Sequence, residues 1–136
     1  MGGKNQLYLY YLLMLVTTIA HIFEEIWGHF WILEVIGLKW FLILNSFLIF
    51  IPFLIFYFVL NEKHWAYQLG TVYTGVMGIQ GIGHNLGFLL MGSYYGGFAG
   101  GITGVFLSFF SIPLIYHLLK SMPPRDIQSK NHETNY

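Results

Sequence analysis

The sequence predicts an all-α fold, an integral membrane bundle of about four transmembrane helices. Three observations predict it. The chain of 136 residues is 56% hydrophobic and 20% aromatic but only 9% charged, where a soluble domain carries about 25% charged residues. Four apolar stretches are each long enough to cross a bilayer, which takes about 20 residues. The basic residues gather in segments that alternating spans would leave on one side. So small a water-soluble globule has too little interior to hide this much apolar surface, and lipid removes the need to hide it.

The first stretch runs roughly from Leu7 to Trp27 and the second from about Trp40 to Leu60. The third runs from about Trp65 to Met91 and the fourth from about Phe98 to Leu119. The connector from Gly28 to Lys39 holds Trp31 and Glu34 and reads as an interfacial segment, because tryptophan favours the headgroup level. Asn61-Glu62-Lys63-His64 reads as a tight polar turn, and Gly92 to Gly97 as a turn rich in Gly and Tyr. Residues 1–120 are expected to form a single four-helix transmembrane domain. Residues 121–136, opening with Pro123-Pro124 after two residues, are expected to form a polar, disordered cytoplasmic tail. The first stretch is read as a span and not a cleaved leader, since it is long, lacks an A-x-A site and runs directly into acidic residues.

With four spans, both termini and the second loop share a side. That side holds Lys4, Lys63, Lys120, Arg125 and Lys130, against Lys39 alone on the other. The positive-inside rule then predicts a multi-pass protein of the cell membrane with both termini cytoplasmic. The balance of 6 basic and 6 acidic residues leaves no basic stripe for nucleic acid. The absence of cysteine excludes disulfides, thiolate ligands and thiol nucleophiles.

The second stretch is rich in Phe and is expected to face mostly lipid. The third contains Gly70, Gly75, Gly78, Gly81, Gly83 and Gly87, with Gly83 and Gly87 forming a GxxxG pair; Gly100, Gly104 and Ser108 extend the pattern into the fourth. Small residues let backbones approach closely in membranes. The pattern predicts tight packing of the third and fourth helices on each other or on the first. It also offers a homo-oligomer interface.

The informative string is His21-Ile22-Phe23-Glu24-Glu25. On a helix, positions i, i+3 and i+4 share a face, so both glutamates lie one turn from His21 on its side. Ionisable residues inside a span are costly and face protein or water. A glutamate near a helix end can also simply be a solvated boundary residue. The third stretch adds Gln80, His84 and Asn85. His21 lies about 21 Å and His84 about 28 Å from the cytoplasmic starts of their helices, at 1.5 Å per residue. Both fall in the outer half of the bilayer, where Asn45 and Ser46 of the second stretch are expected to join them. His29 and the Tyr94-Tyr95-Gly96-Gly97 turn lie toward the same side, whereas His64 and His117 are read as interfacial groups of the cytoplasmic side.

His and Glu without Cys suit zinc, iron or manganese. His21, Glu24, Glu25 and His84 are the candidate ligands of one divalent metal ion, leaving a position open for water. Two metals would require more intramembrane carboxylates than the chain has. Without metal, a His–Glu pair could act as general acid and base. His21, Glu24, Glu25, His84 and Asn85 are therefore the candidate catalytic residues, with Asn85 orienting a neighbour by hydrogen bonding.

His21-x-x-Glu24-Glu25 at the end of the first span resembles the motif of the HxxEE family of small bacterial membrane proteins, over Thr17 to Ile115. That resemblance implies a later-span histidine, here His84, and a Tyr/Pro-Gly/Thr stretch opening the last span, here Tyr95 to Thr103. The chain has Gly100-Gly101-Ile102-Thr103 where the family often has Pro-Gly before the Thr. The family implies no reaction. The expected function is a membrane enzyme, metal-dependent or acid–base, acting on a lipid-like substrate reached from the bilayer. The rivals are a proton- or ion-coupled carrier and a non-catalytic accessory subunit docked through the glycine-rich helices.

Overall fold

A computed structural model of the chain describes residues 3–124. Among these residues there are four helices, α1 (Gly3–Trp27), α2 (Trp31–Leu60), α3 (His64–Met91) and α4 (Gly101–Ser121), and no strand. Most of the residues assigned to the tail, 125–136, lie outside the described residues, as do Arg125 and Lys130.

The bundle exposes large apolar side chains and sets polar groups within an otherwise apolar core. Phe23, Phe47, Phe50, Val72, Ile79, Leu90 and Ile112 are all exposed, as lipid-facing side chains should be, while Thr18, His21, Glu25, Thr74 and His84 are buried. α1 shows the pattern behind this. Leu7, Tyr11, Met14, Thr18, His21 and Glu25 recur every three or four residues and form its buried face. α1, α2 and α4 are each long and apolar enough to cross a membrane. α3 has 28 residues but is not among the helices apolar enough to cross, because glycines and the Gln80, His84, Asn85 group dilute its hydropathy.

α4 packs most extensively on α3 and then on α1. A Cβ on Gly81 would collide with the Gly104 carbonyl, and one on Gly78 would lie 2.6 Å from Ser111 Oγ. The seam therefore runs through Gly78, Gly81 and Gly104. The GxxxG pair of the sequence divides: Gly83 faces open space, while Gly87 seats the Phe98 ring. Ser108 Oγ also donates to the Gly78 carbonyl across the seam (3.1 Å).

α2 departs from the interfacial connector expected over 28–39. The stretch is helical from Trp31 and breaks at Gly37, whose φ of 76° and ψ of 155° lie outside the helical region. That left-handed φ suits glycine. It separates a short arm, 31–36, from the long apolar segment, 38–60. Pro52 lacks the N–H that would bond the Leu48 carbonyl, and the Tyr73 hydroxyl reaches that carbonyl at 3.4 Å instead. α4 begins three residues later than expected. Phe98 and Ala99 are held out of it, the first against Gly87 and the second by a bond to His84.

The two ends of the bundle are stitched separately. At one end Lys4 pairs with Glu62, and His64 Nδ1 donates to the Pro123 carbonyl (2.6 Å). The start of α1, the α2–α3 turn and the end of α4 thus meet there. His117, expected at an interface, is instead buried on α4 and stacked on Tyr10 (5.5 Å between centroids). At the other end the Gly96 N–H donates to the Gly28 carbonyl (2.9 Å) and the Trp31 N–H to the Gly97 carbonyl (3.1 Å). The His–Glu cluster lies beneath these two loops.

Candidate metal centre

His21 and Glu25 stand one turn apart on α1, and His84 faces them from α3. Relative exposures of 1%, 2% and 5% place all three inside the bundle. The Glu25 Oε1 atom is 3.5 Å from His21 Nε2 and 3.2 Å from His84 Nε2. One ligand atom from each of the three lies within 4.8 Å of the others, a grouping that could hold a metal ion. The imidazoles meet edge to face, 4.7 Å between centroids, and Phe30 packs on His84 at 4.6 Å.

The opposite nitrogens decide how the imidazoles are protonated. His84 Nδ1 lies 2.5 Å from the Ala99 carbonyl. A carbonyl only accepts, so that nitrogen carries the proton. His21 Nδ1 lies 2.9 Å from the Thr103 hydroxyl, and that hydroxyl donates to Glu24 Oε2. With its proton committed to a carboxylate, the Thr103 oxygen accepts from His21 Nδ1. In the neutral state that metal ligation needs, both imidazoles would then point an Nε2 lone pair toward Glu25. Fixing the tautomer through the distal nitrogen in this way is characteristic of metal-ligating histidines.

Glu24 has a different post. Neighbouring helical residues point about 100° apart, so while Glu25 turns inward to α3, Glu24 turns to the start of α4. Its carboxylate accepts from Ile102 N (3.0 Å) and Thr103 N (2.7 Å), and from the hydroxyls of Thr103 and Tyr94. The first N–H groups of a helix have no partner within it and carry the positive end of its dipole. Gly100, the residue preceding α4, has no side chain to cap them, and Glu24 supplies the cap from α1. Burial and the Glu24 carboxylate push the Tyr94 hydroxyl up from a phenol's ordinary range, so it remains a donor. Of the four predicted ligands, the structure groups His21, Glu25 and His84 and sets Glu24 behind them.

Asn85 is not bonded to either histidine. Its Nδ2 donates to the carbonyls of Gly81 (2.9 Å) and Gly101 (3.1 Å), tying α3 to the start of α4. Asn45 and Ser46 bond back to Phe41 and Leu42 within α2. The third helix at the cluster is thus α4, through Thr103. His29 pairs with Glu34 at the exposed end of the bundle (3.0 Å).

Three contributors escaped the assignment of catalytic and ligand residues: Thr103, the Ala99 carbonyl and Gln80. Gln80 precedes His84 by one turn, and its Nε2 lies 3.4 Å from His21 Nε2. Its spacing from His84 was the available signal. Gly100 has φ of 102°, and a Cβ there would lie 2.6 Å from His21 Cε1 and 3.0 Å from His84 Nδ1. Only glycine lets the chain pass over both rings. On the other side of this α4 start lies an apolar groove of about 640 Å³, lined by Trp27, Asn85, Phe88, Tyr95, Ile102 and Phe106 among others.

No family model matches the chain, and no curated protein or solved structure is similar enough to count as a match.

Proposed function

We propose that this chain is a multi-pass protein of the cell membrane whose activity depends on one divalent metal ion held by His21, Glu25 and His84. One observation carries the reading. Both Nδ1 atoms are engaged by the Thr103 hydroxyl and the Ala99 carbonyl, which leaves both Nε2 atoms facing Glu25 Oε1 as potential ligand atoms. With both imidazoles neutral, a cation is what would join these three acceptors. The separations of 3.2 and 3.5 Å bracket the edge of a tetrahedron of zinc ligands, about 3.3 Å for bonds near 2.0–2.1 Å. Imidazole and carboxylate suit zinc, iron or manganese.

Three protein ligands and a further position are the pattern of a catalytic centre. The substrate class we assign is lipid-like, on the ground that the site is embedded in a lipid-facing bundle and the groove beside the α4 start is apolar. The proposed orientation has both termini cytoplasmic and the site in the outer leaflet, supported by the split of Lys and Arg. Membership in the HxxEE family belongs to the same proposal and rests on His21-x-x-Glu24-Glu25 closing α1.

The test is metal content after purification in detergent. One equivalent of zinc, iron or manganese is expected, lost in His21→Ala, Glu25→Gln and His84→Ala. A folded protein that neither retains nor takes up any of the three overturns the metal reading and leaves a proton relay among the same groups.

A further inference from the structure

We infer that Gln80 supplies the fourth metal ligand, through its amide oxygen, as a neutral group that an incoming substrate or anion displaces. The inference rests on the metal reading above. α1 and α3 run in the same direction, because the α1 start and the α2–α3 turn share an end. Each presents an i, i+4 pair to the other: His21 and Glu25 on α1, Gln80 and His84 on α3. Residues at that spacing lie on one helix face. The lower members meet at 3.4 Å, Gln80 Nε2 to His21 Nε2, and the upper members at 3.2 Å, His84 Nε2 to Glu25 Oε1. With the 3.5 Å from His21 to Glu25, three successive separations all match the edge of a tetrahedron of ligands, about 3.3 Å. Gln80 thus stands one ligand spacing from His21, at one edge of the trio.

The chemistry of the amide follows. The Gln80 NH2 can only donate, so at 3.4 Å from His21 Nε2 it uses that nitrogen as its acceptor. A metal that takes the Nε2 lone pair removes that acceptor. The two ends of an amide are close to isosteric and differ in hydrogen-bonding role, so rotation about the last side-chain bond brings Oε1 to the metal. A neutral amide oxygen is a weaker ligand than a carboxylate or an imidazole. It closes the coordination sphere at rest and yields to a stronger donor. Half-buried Gln80 is the most accessible of the four, which fits the replaceable position.

The experiment loads purified full-length protein with cobalt(II), follows the visible d–d bands, and titrates thiocyanate. Wild type is expected to give a four-coordinate spectrum that responds weakly to thiocyanate. Gln80→Ala is expected to bind cobalt about tenfold or more weakly, on the scale of losing one supporting group at such a centre, and to bind thiocyanate more tightly. Gln80→Glu, which keeps the shape and adds charge, is expected to bind cobalt more tightly and to resist thiocyanate. It decides the matter if the alanine variant does not fold. Should both variants match wild type in affinity, spectrum and anion response while His21→Ala binds no cobalt, the Gln80 assignment fails and the metal reading stands. Should wild type bind no cobalt, zinc, iron or manganese, both fall together.

Discussion

His84 Nε2 lies 3.2 Å from Glu25 Oε1, across the gap between α3 and α1 and at under 6% exposure for both residues. An imidazole lone pair aimed at a carboxylate oxygen is repulsive in a low-dielectric interior. The contact is stable only with positive charge between the two atoms. What fixes the lone pair in place is the Ala99 carbonyl behind the ring.

Thr103→Val should weaken metal binding by about 10- to 100-fold, the usual cost of removing a group that orients a ligand. Valine keeps the shape but offers His21 Nδ1 no acceptor and Glu24 no hydroxyl. Thr103→Ser should stay near wild type. Glu24→Gln should resemble Thr103→Val, because its NH2 would oppose the N–H groups of Ile102 and Thr103 that the carboxylate now accepts. Isothermal titration with zinc in detergent measures all three. Glu24→Gln with unchanged affinity would show that the α4 cap and the centre are independent.

Gly100→Ala should destabilise the protein by about 2 kcal/mol or more, from positive-φ strain together with overpacking. The new Cβ meets His21 and His84 directly. Gly83→Ala is the matched control, one residue from His84 and facing open space. It should be neutral or slightly stabilising, since alanine is the better helix former. Thermal melting in detergent compares the pair, and similar melting temperatures would mean that the chain does not cross the rings this closely.

How far the site was legible follows from the same geometry. The i, i+4 spacing places Glu25 beside His21 whatever the fold, and a count of residues along α3 sets His84 at nearly the same depth. Which of two adjacent glutamates turns inward depends on the rotation of α1 about its axis. Packing against α3 and α4 sets that rotation, and no local pattern encodes it. Asn45 and Ser46 misled because a polar side chain in a span can satisfy itself on the carbonyl one turn back. Depth alone then carries no information about convergence. Thr103 closes the stretch that the resemblance marks, but its contact with His21 stayed hidden because α4 starts later than hydropathy suggests. Gly100 ends the loop at φ 102°, where the chain passes close over the two histidines.

Sidedness has a direct check. The chain has no native cysteine, so single cysteines report without background. One placed at Gly96, in the α3–α4 loop, should react with a membrane-impermeant maleimide added to intact cells. One at Asn61, in the turn beside the Lys4–Glu62 pair, should react only after lysis. The reverse pattern would invert the protein and move the site to the inner leaflet.

The last expectation separates a working centre from an ion pair that merely holds helices together. Glu25→Gln keeps the shape of the side chain and one acceptor oxygen but removes its charge. If metal is bound, the variant should lose it, and with it any lipid phenotype in cells, while melting near the temperature of metal-free wild type. If Glu25 instead bridges a protonated histidine, losing that partner strands a buried charge, at about 3 to 5 kcal/mol, and melting should fall well below metal-free wild type. Acid distinguishes the two again. Metal ligation needs both imidazoles neutral, so affinity should drop on acidification, as protons compete for Nε2. A bridge of protonated histidine and carboxylate responds in the opposite sense, gaining stability as the imidazole takes up its proton and losing it as pH rises. Wild-type melting followed from about pH 8 to about pH 5, with and without chelator, therefore carries opposite slopes for the two cases. A melting curve that rises on acidification in the absence of metal would assign Glu25 to the bridge.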